Sequence, residues 1–310
     1  MTSTRPPFPI AGHWPALLTP VDSAGRIDQP RLLAQARRML AAGASGVTLF
    51  GTSGEGPAFA VAARQAALDA LLAAGIAPSR LIVTLTASAL PDAIALGRDA
   101  VARQCAGTLL MPPYYFNRPR DAGVVAAVSA VVDALDPVGC ANLLLYQFPS
   151  LSNVSFSHAA IAELSRRHPE QIVGIKDSTG DLAHSLRLIR AFPALAVLVG
   201  AETDVAPAMC AGGAGSINGL ANIAPGLMQR IVAAPDQVSP EDEALVRELL
   251  GMLTVLPDLP FVPAYKVGLA EQTGDDAWLA VCPPLAPLTP DEEAAVRGVY
   301  RRAAAEPDRL

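Results

Sequence analysis

Lysine is nearly absent from this 310-residue chain: of 23 basic residues only Lys176 and Lys266 are lysines. Arginine carries almost all the positive charge, and neither type forms a run. With a net charge of -6, this excludes a nucleic-acid groove, which needs clustered cations to neutralise phosphates. A small-molecule partner is expected instead. Cysteine is sparse, with Cys105, Cys140, Cys210 and Cys282 far apart, and the four histidines, His13, His158, His168 and His184, include no close metal-ligand pair. Reduced thiols, a cytoplasmic setting and no structural zinc or other metal follow as expectations. No apolar run approaches the ~18 residues of a membrane span; Val124 to Val132 is interrupted by Ser129 and followed by Asp133. Met1 to Pro9 lacks the basic start and apolar core of a secretory leader.

What is present is apolar substance: 51% of the residues are hydrophobic, much of it alanine and leucine at helical spacing. That is enough for a large core and an oligomer interface. Apolar strands are expected at His13–Thr19, Gly46–Phe50, Leu81–Thr86, Gly107–Met111, Asn142–Phe148, Ile172–Ser178, Ala196–Ala201 and Gly215–Asn218. Between them, helical spacing is found at Gln29–Ala42, Ala60–Ala74, Pro91–Gln104, Asp121–Leu135, Ser157–Arg167, Asp181–Ala191 and Asp204–Ala211. Strands apolar on both faces, alternating with amphipathic helices, read as a wholly parallel sheet, and eight such units close most naturally into an α/β (β/α)8 TIM barrel. An open doubly wound sheet is the alternative. Against it, no strand runs into a Gly-x-Gly-x-x-Gly turn, and the glycines of Gly212-Gly213-Ala214-Gly215 precede a strand rather than follow one. Pro240–Leu256, Phe261–Glu271 and Pro290–Ala305 read as an appended C-terminal helical layer, dividing the chain into a barrel over 1–235 and C-terminal helices over 236–310.

In such barrels the site lies at the C-terminal strand ends. The sixth strand ends in Lys176. An amine, unlike a guanidinium, can lose its proton and attack a carbonyl carbon, which suggests Schiff-base chemistry; the alternative is a lysine that closes a strand and reaches to solvent. The second strand runs into Gly51-Thr52-Ser53-Gly54-Glu55-Gly56, whose amides and hydroxyls suit a carboxylate. The same stretch also fits a Thr52-to-Glu55 capping box that only starts a helix, and Glu55 is structural on either reading. Three of the five tyrosines, Tyr114, Tyr115 and Tyr146, stand at strand ends, where a phenol can relay protons or simply pack. After the seventh strand, Glu202 could accept hydrogen bonds from substrate hydroxyls or start the next helix.

Taken in order, Gly51-Thr52-Ser53-Gly54-Glu55, Pro113-Tyr114-Tyr115, Tyr146-x-x-Pro149, Gly174-Ile175-Lys176-Asp177 and Gly215-Ser216-Ile217 resemble the motifs of the dihydrodipicolinate synthase/N-acetylneuraminate lyase family, over roughly residues 10 to 230. The resemblance implies a pyruvate-dependent class I aldolase barrel, commonly a homotetramer built as a dimer of dimers. No cofactor is implied beyond the covalent imine of pyruvate on Lys176. By the same resemblance Tyr146 is the acid/base, Thr52 and Tyr115 complete a hydroxyl relay, and Tyr115 reaches across a dimer interface. Ser53 and the turn amides, Gly54 included, would hold the carboxylate, with Ser178 and Glu202 also on the substrate and Gly200 and Ile217 walling the pyruvyl pocket.

Departures from the family pattern bear on substrate. Dihydrodipicolinate synthases usually carry an arginine five residues after the tyrosine, to hold the carboxylate of aspartate semialdehyde; this chain has Leu151, as N-acetylneuraminate lyases have leucine. Those lyases carry further acids after strand seven, where this chain has Glu202 then Thr203, and a serine where it has Gly219. The usual asparagine after the tyrosine is Gln147. Tyr114-Tyr115-Phe116 and the stretch from Gly174 to Ser185 look closest to 2-keto-3-deoxy sugar acid aldolases. The expectation is a lyase that cleaves or forms a 2-oxo-3-deoxy acid through the Lys176 imine. The alternatives are 4-hydroxy-tetrahydrodipicolinate synthase or a dehydratase on the same imine, and a catalytically idle barrel with a binding or regulatory role. An idle barrel would be expected to have lost Lys176, Tyr146 or Thr52, and all three are present.

Overall fold

The computed structural model describes residues 9–305; residues 1–8, on which the leader expectation falls, and 306–310 lie outside the described residues. Eight strands, β1 (Gly12–His13), β2 (Val47–Leu49), β3 (Leu81–Thr84), β4 (Gly107–Leu110), β5 (Leu143–Gln147), β6 (Ile172–Asp177), β7 (Ala196–Val199) and β8 (Gly215–Ser216), pair in the order β1-β8-β7-β6-β5-β4-β3-β2. Every pairing is parallel. A parallel bridge from Ala16 to Thr48 joins the extension of β1 to β2 and closes the ring. The expected barrel is the fold found.

Around it lie α1 (Gln29–Ala41), α2 (Val61–Ala73), α3 (Leu90–Ala102), α4 (Asp121–Leu135), the single turn α5 (Pro149–Ser152), α6 (His158–Arg167), α7 (Leu182–Ala191), α8 (Val205–Cys210) and α9 (Pro225–Ala233). Their starts are written locally. Asp28, Ser157 and Asp181 each accept a hydrogen bond from the first turn of α1, α6 and α7, satisfying amides that have no partner inside the helix. The layer between strands and helices is the main core, and a second cluster, with Ile82, Leu109, Leu144, Leu198 and Ile217, fills the barrel's interior. The first four alternate with outward neighbours along their strands, as the two-residue repeat requires.

Three differences from the sequence expectations have physical reasons. The first strand is short because Pro15 has no N–H and the chain pairs alternately with its two neighbours: Trp14 N–H and Ala16 N–H donate toward β8, and Leu17 N–H to Thr48. The helix α9, absent from the sequence reading, buries Leu227, Met228, Ile231 and Val232 on one face. The helix expected to run to Leu256 ends sooner: α10 (Pro240–Leu250) gives way to a tight turn over Gly251–Leu253. The layer is completed by α11 (Phe261–Thr273) and α12 (Pro290–Ala303). Buried from Val262 to Ala270 without a break, α11 is a core helix.

Candidate active site

The register sets Lys176 of β6 between Tyr146 of β5 and Leu198 of β7. Lys176 is buried, and its Nζ stands 4.1 Å from the centre of the Tyr146 ring. A cation there is favoured by the electron-rich ring face, while a neutral amine there is held over an apolar surface close to the phenol. The Tyr146 hydroxyl lies 3.0 Å from Thr52 Oγ1. Lysine, phenol and threonine hydroxyl thus come from β6, β5 and the turn after β2, brought together by closure of the barrel.

That turn is shaped by Phe50 and Glu55, both in the left-handed region at φ 57° and 53°. Ser53 is buried at the cavity wall beside Thr52. Gly54 stands behind the wall: its carbonyl accepts from Thr19 Oγ1 at 2.7 Å, and a Cβ there would meet Leu17 O at 2.7 Å. It builds the turn and does not line the cavity, which corrects its expected role in binding substrate directly. The Thr52-to-Glu55 capping box does not form, since the Glu55 side chain caps no helix. Glu55 forms instead a fully buried ion pair with Lys266 of α11.

Thr52, Ser53, Tyr146, Lys176, Ser178, Gly200, Glu202 and Ile217 all line one cavity of about 280 Å³. Ser178 and Gly200 meet face to face, since a Cβ at Gly200 would fall 2.2 Å from Ser178 Oγ. Behind Lys176, Asp177 points away from the cavity and accepts from Ser185 Oγ at 2.7 Å and Thr179 N–H at 3.1 Å, with His184 Nδ1 2.9 Å away. These bonds hold the end of β6. Gln147 also turns outward, and its Oε1 accepts from Phe156 N–H at 2.8 Å, so the longer amide anchors the loop before α6.

A further part of the cavity wall is organised by Tyr265, which the sequence alone does not single out. Its hydroxyl donates to Glu202 Oε1 at 3.2 Å, and Leu220 N–H donates to the same oxygen at 3.1 Å. Burial raises the Glu202 pKa above the ordinary carboxylate value, opposed by these hydrogen bonds; burial, then the adjacent Glu202, pushes the Tyr265 phenol well up. Gly219 is explained by the same ring, because a Cβ there would lie 2.8 Å from Tyr265 Cε2. Phe261 and Leu253 join Tyr265 on this wall. One signal is legible: a tyrosine and a lysine adjacent within the otherwise apolar stretch from Phe261 to Ala270.

Tyr115 is not brought to this cluster. It lies on the loop after β4, 73% exposed, packed edge-on against Phe116, itself 81% exposed. Leu151 on α5 is also exposed and outside the lining. Lys176 is the one cationic side chain among the lining residues. The four cysteines are free thiols. Among the described residues no group of three or more His, Cys, Asp or Glu is arranged to hold a metal, and no helix is long and apolar enough to cross a membrane.

Residues 9–302 match the model of the "Dihydrodipicolinate synthetase family". An uncharacterised DapA-like lyase of Chloroflexus aurantiacus is 34% identical, over 93% of this chain and 95% of its own. The crystal structure of dihydrodipicolinate synthase from Agrobacterium tumefaciens superposes with a TM-score of 0.87 at 33% identity, covering 95% of this chain and 99% of that one. A variant of the 2-keto-3-deoxygluconate aldolase of Sulfolobus solfataricus superposes with a TM-score of 0.82 at 20% identity, over 96% and 99%, a likeness of fold.

Proposed function

The chain belongs to the dihydrodipicolinate synthetase family, and from that premise we propose that it is a Schiff-base-forming lyase, a class I aldolase that cleaves or forms a 2-oxo-3-deoxy acid. The observation that carries the reading is the buried amine of Lys176, 4.1 Å from the ring centre of a tyrosine whose hydroxyl is 3.0 Å from Thr52, in a cavity with no second cation. Neutral Lys176 attacks the 2-oxo carbon, and loss of water, with Tyr146 moving the proton, leaves the imine. The imine nitrogen then draws the electrons of the C3–C4 bond as Tyr146 takes the proton of the C4 hydroxyl. An aldehyde leaves, and an enamine remains. Protonation at C3 and hydrolysis return pyruvate and free Lys176. No separate cofactor is required, because the imine is itself the electron sink. Thr52 orients the phenol, and Ser53 with the turn amides receives the carboxylate.

The cavity's charge favours an aldehyde without a carboxylate. With Lys176 committed to the imine, the lining offers no cation for a second carboxylate, and Glu202 repels one. The hydroxyls of Ser150, Thr179 and Tyr265 suit a hydroxylated aldehyde. The second reading, 4-hydroxy-tetrahydrodipicolinate synthase, rests on the relatives that carry that name, among them one from Acidiphilium cryptum at 32% identity; Leu151 argues against it. We further read the enzyme as a cytoplasmic homotetramer in which Tyr115 completes a neighbour's relay, a reading supported by the exposed Tyr115 and Phe116 pair.

The test is mass spectrometry after incubation with pyruvate and sodium borohydride. A pyruvyl adduct confined to the peptide holding Lys176, and lost in Lys176→Ala, is the expected result. Folded wild-type protein without an adduct would move the idle barrel to the front.

A further inference from the structure

Lys266, the second of the two lysines, is fully buried and paired with Glu55, whose side chain is 1% exposed. The pair is tied in from both sides. Cys282 N–H donates to Glu55 Oε2 at 2.7 Å, and Lys266 Nζ donates to the Ala280 carbonyl at 2.7 Å. The turn after β2 therefore meets α11 and the stretch that follows it at one ion pair, across more than 200 residues of sequence.

Two features give this a consequence for the reaction. Glu55 sits in left-handed backbone at φ 53°, a conformation that a side-chain-bearing residue adopts at a cost and keeps only when its surroundings hold it. It closes the turn that presents Thr52 and Ser53, and Gly56 is folded so closely that a Cβ there would lie 1.8 Å from Phe50 O. The neighbour of Lys266 on α11 is Tyr265, which donates to Glu202; a Cβ at Gly219 would lie 2.8 Å from the Tyr265 ring and 3.3 Å from Ser53 Oγ. Adjacent residues of one helix thus hold the Glu55 turn and the cavity wall next to Ser53.

We propose that Glu55 and Lys266 are positioning residues: their ion pair sets the Gly51–Gly56 turn against α11 so that Ser53 and the turn amides meet the substrate carboxylate while Thr52 meets Tyr146. The pair touches no reacting atom. Its effect falls on carboxylate capture, in register with the wall that receives the aldehyde. This rests on the aldolase reading above, since it presumes a 2-oxo acid bound as an imine on Lys176.

The experiment is borohydride trapping, followed by intact-protein mass spectrometry, at graded concentrations of two probes: pyruvate, and hydroxyacetone, which has the carbonyl but no carboxylate. In Lys266→Met the half-saturating pyruvate concentration should rise about tenfold, the loss of one charge-assisted contact, while hydroxyacetone trapping changes less than twofold. A purely structural role would weaken both probes alike. The double variant Glu55→Gln/Lys266→Met, which leaves no buried charge alone, should recover thermal stability yet keep the raised pyruvate requirement. Glu55→Gln, which keeps the shape and the acceptor for Cys282, carries the test if Lys266→Met does not accumulate folded. Unchanged pyruvate saturation in the variants, equal losses for both probes, or a double variant with wild-type saturation would each overturn the positioning role. Absence of any adduct in wild type would instead overturn the aldolase reading, and this inference with it.

Discussion

The cavity mouth and the turn behind it each hold one lysine and one carboxylate, and treat them oppositely. At the mouth, Lys176 and Glu202 have no ion-pair partner among the described residues; each is attended by a phenol, Tyr146 for the lysine and Tyr265 for the carboxylate. Behind the turn, Glu55 and Lys266 are sealed against each other at 1% and 0% exposure. A buried charge pair resists change, since removing either member leaves the other desolvated and alone. A lysine with no ion-pair partner is not held by a counter-charge, and once neutral it can act as a nucleophile. The charge that holds a shape is paired, and the amine proposed to react is left with hydroxyls.

The contrast can be broken in graded steps. Lys176→Ala should abolish the pyruvate adduct and lower turnover by about 10³-fold or more, read by rate measurements on a 2-oxo-3-deoxy sugar acid. Tyr146→Phe keeps the ring beneath the lysine and removes only the proton carrier; kcat should fall about 10²-fold, with the adduct still formed, more slowly. On the paired side, Lys266→Met should lower stability by about 3 kcal/mol in urea unfolding, with most of that returned in the double variant with Glu55→Gln. A cation beside the cavity sharpens the comparison: Leu151 lies outside the lining but next to the lining residue Ser150, and the longer side chain of Leu151→Arg should raise kcat/KM for aspartate semialdehyde about tenfold, roughly the worth of one exposed charge contact. The smallest effect is on pH dependence. Because Glu202 titrates above its ordinary 4.5, the folded state holds its proton more tightly than the unfolded chain. Its contribution is therefore full below 4.5 and declines as pH rises through the raised value. Denaturation of Glu202→Gln should lack that decline.

The strand-end residues were legible because barrel topology fixes where the active face lies once the strands are found. The strand list placed Lys176, Tyr146, Thr52 and Ser53 on that face; the roles expected of them came from the resemblance to the family, since side-chain chemistry alone left a strand-closing lysine, a packing tyrosine and a capping turn open. Tyr265 was not legible, because its role depends on meeting Glu202 across 63 residues of sequence and an intervening set of helices. Glu55 was expected to start a helix, and it pairs with Lys266 instead: nothing local to a glycine-rich turn names a lysine on α11. Gln147 and Gly219 were departures without meaning in sequence. The first anchors Phe156 and the second clears the Tyr265 ring, both consequences of who the neighbours are.

By itself the sequence determined the barrel, since apolar runs of strand length alternating with amphipathic helices can bury both faces of a parallel sheet in few other ways. It also singled out Lys176 as the candidate nucleophile, since the chain has only two lysines and this one stands at a strand end. Tertiary structure alone decided which charges are paired and which are free, because desolvation and pairing depend on distances between side chains that chain order does not encode. That decision separates Lys176, left beside a phenol, from Lys266, closed on Glu55.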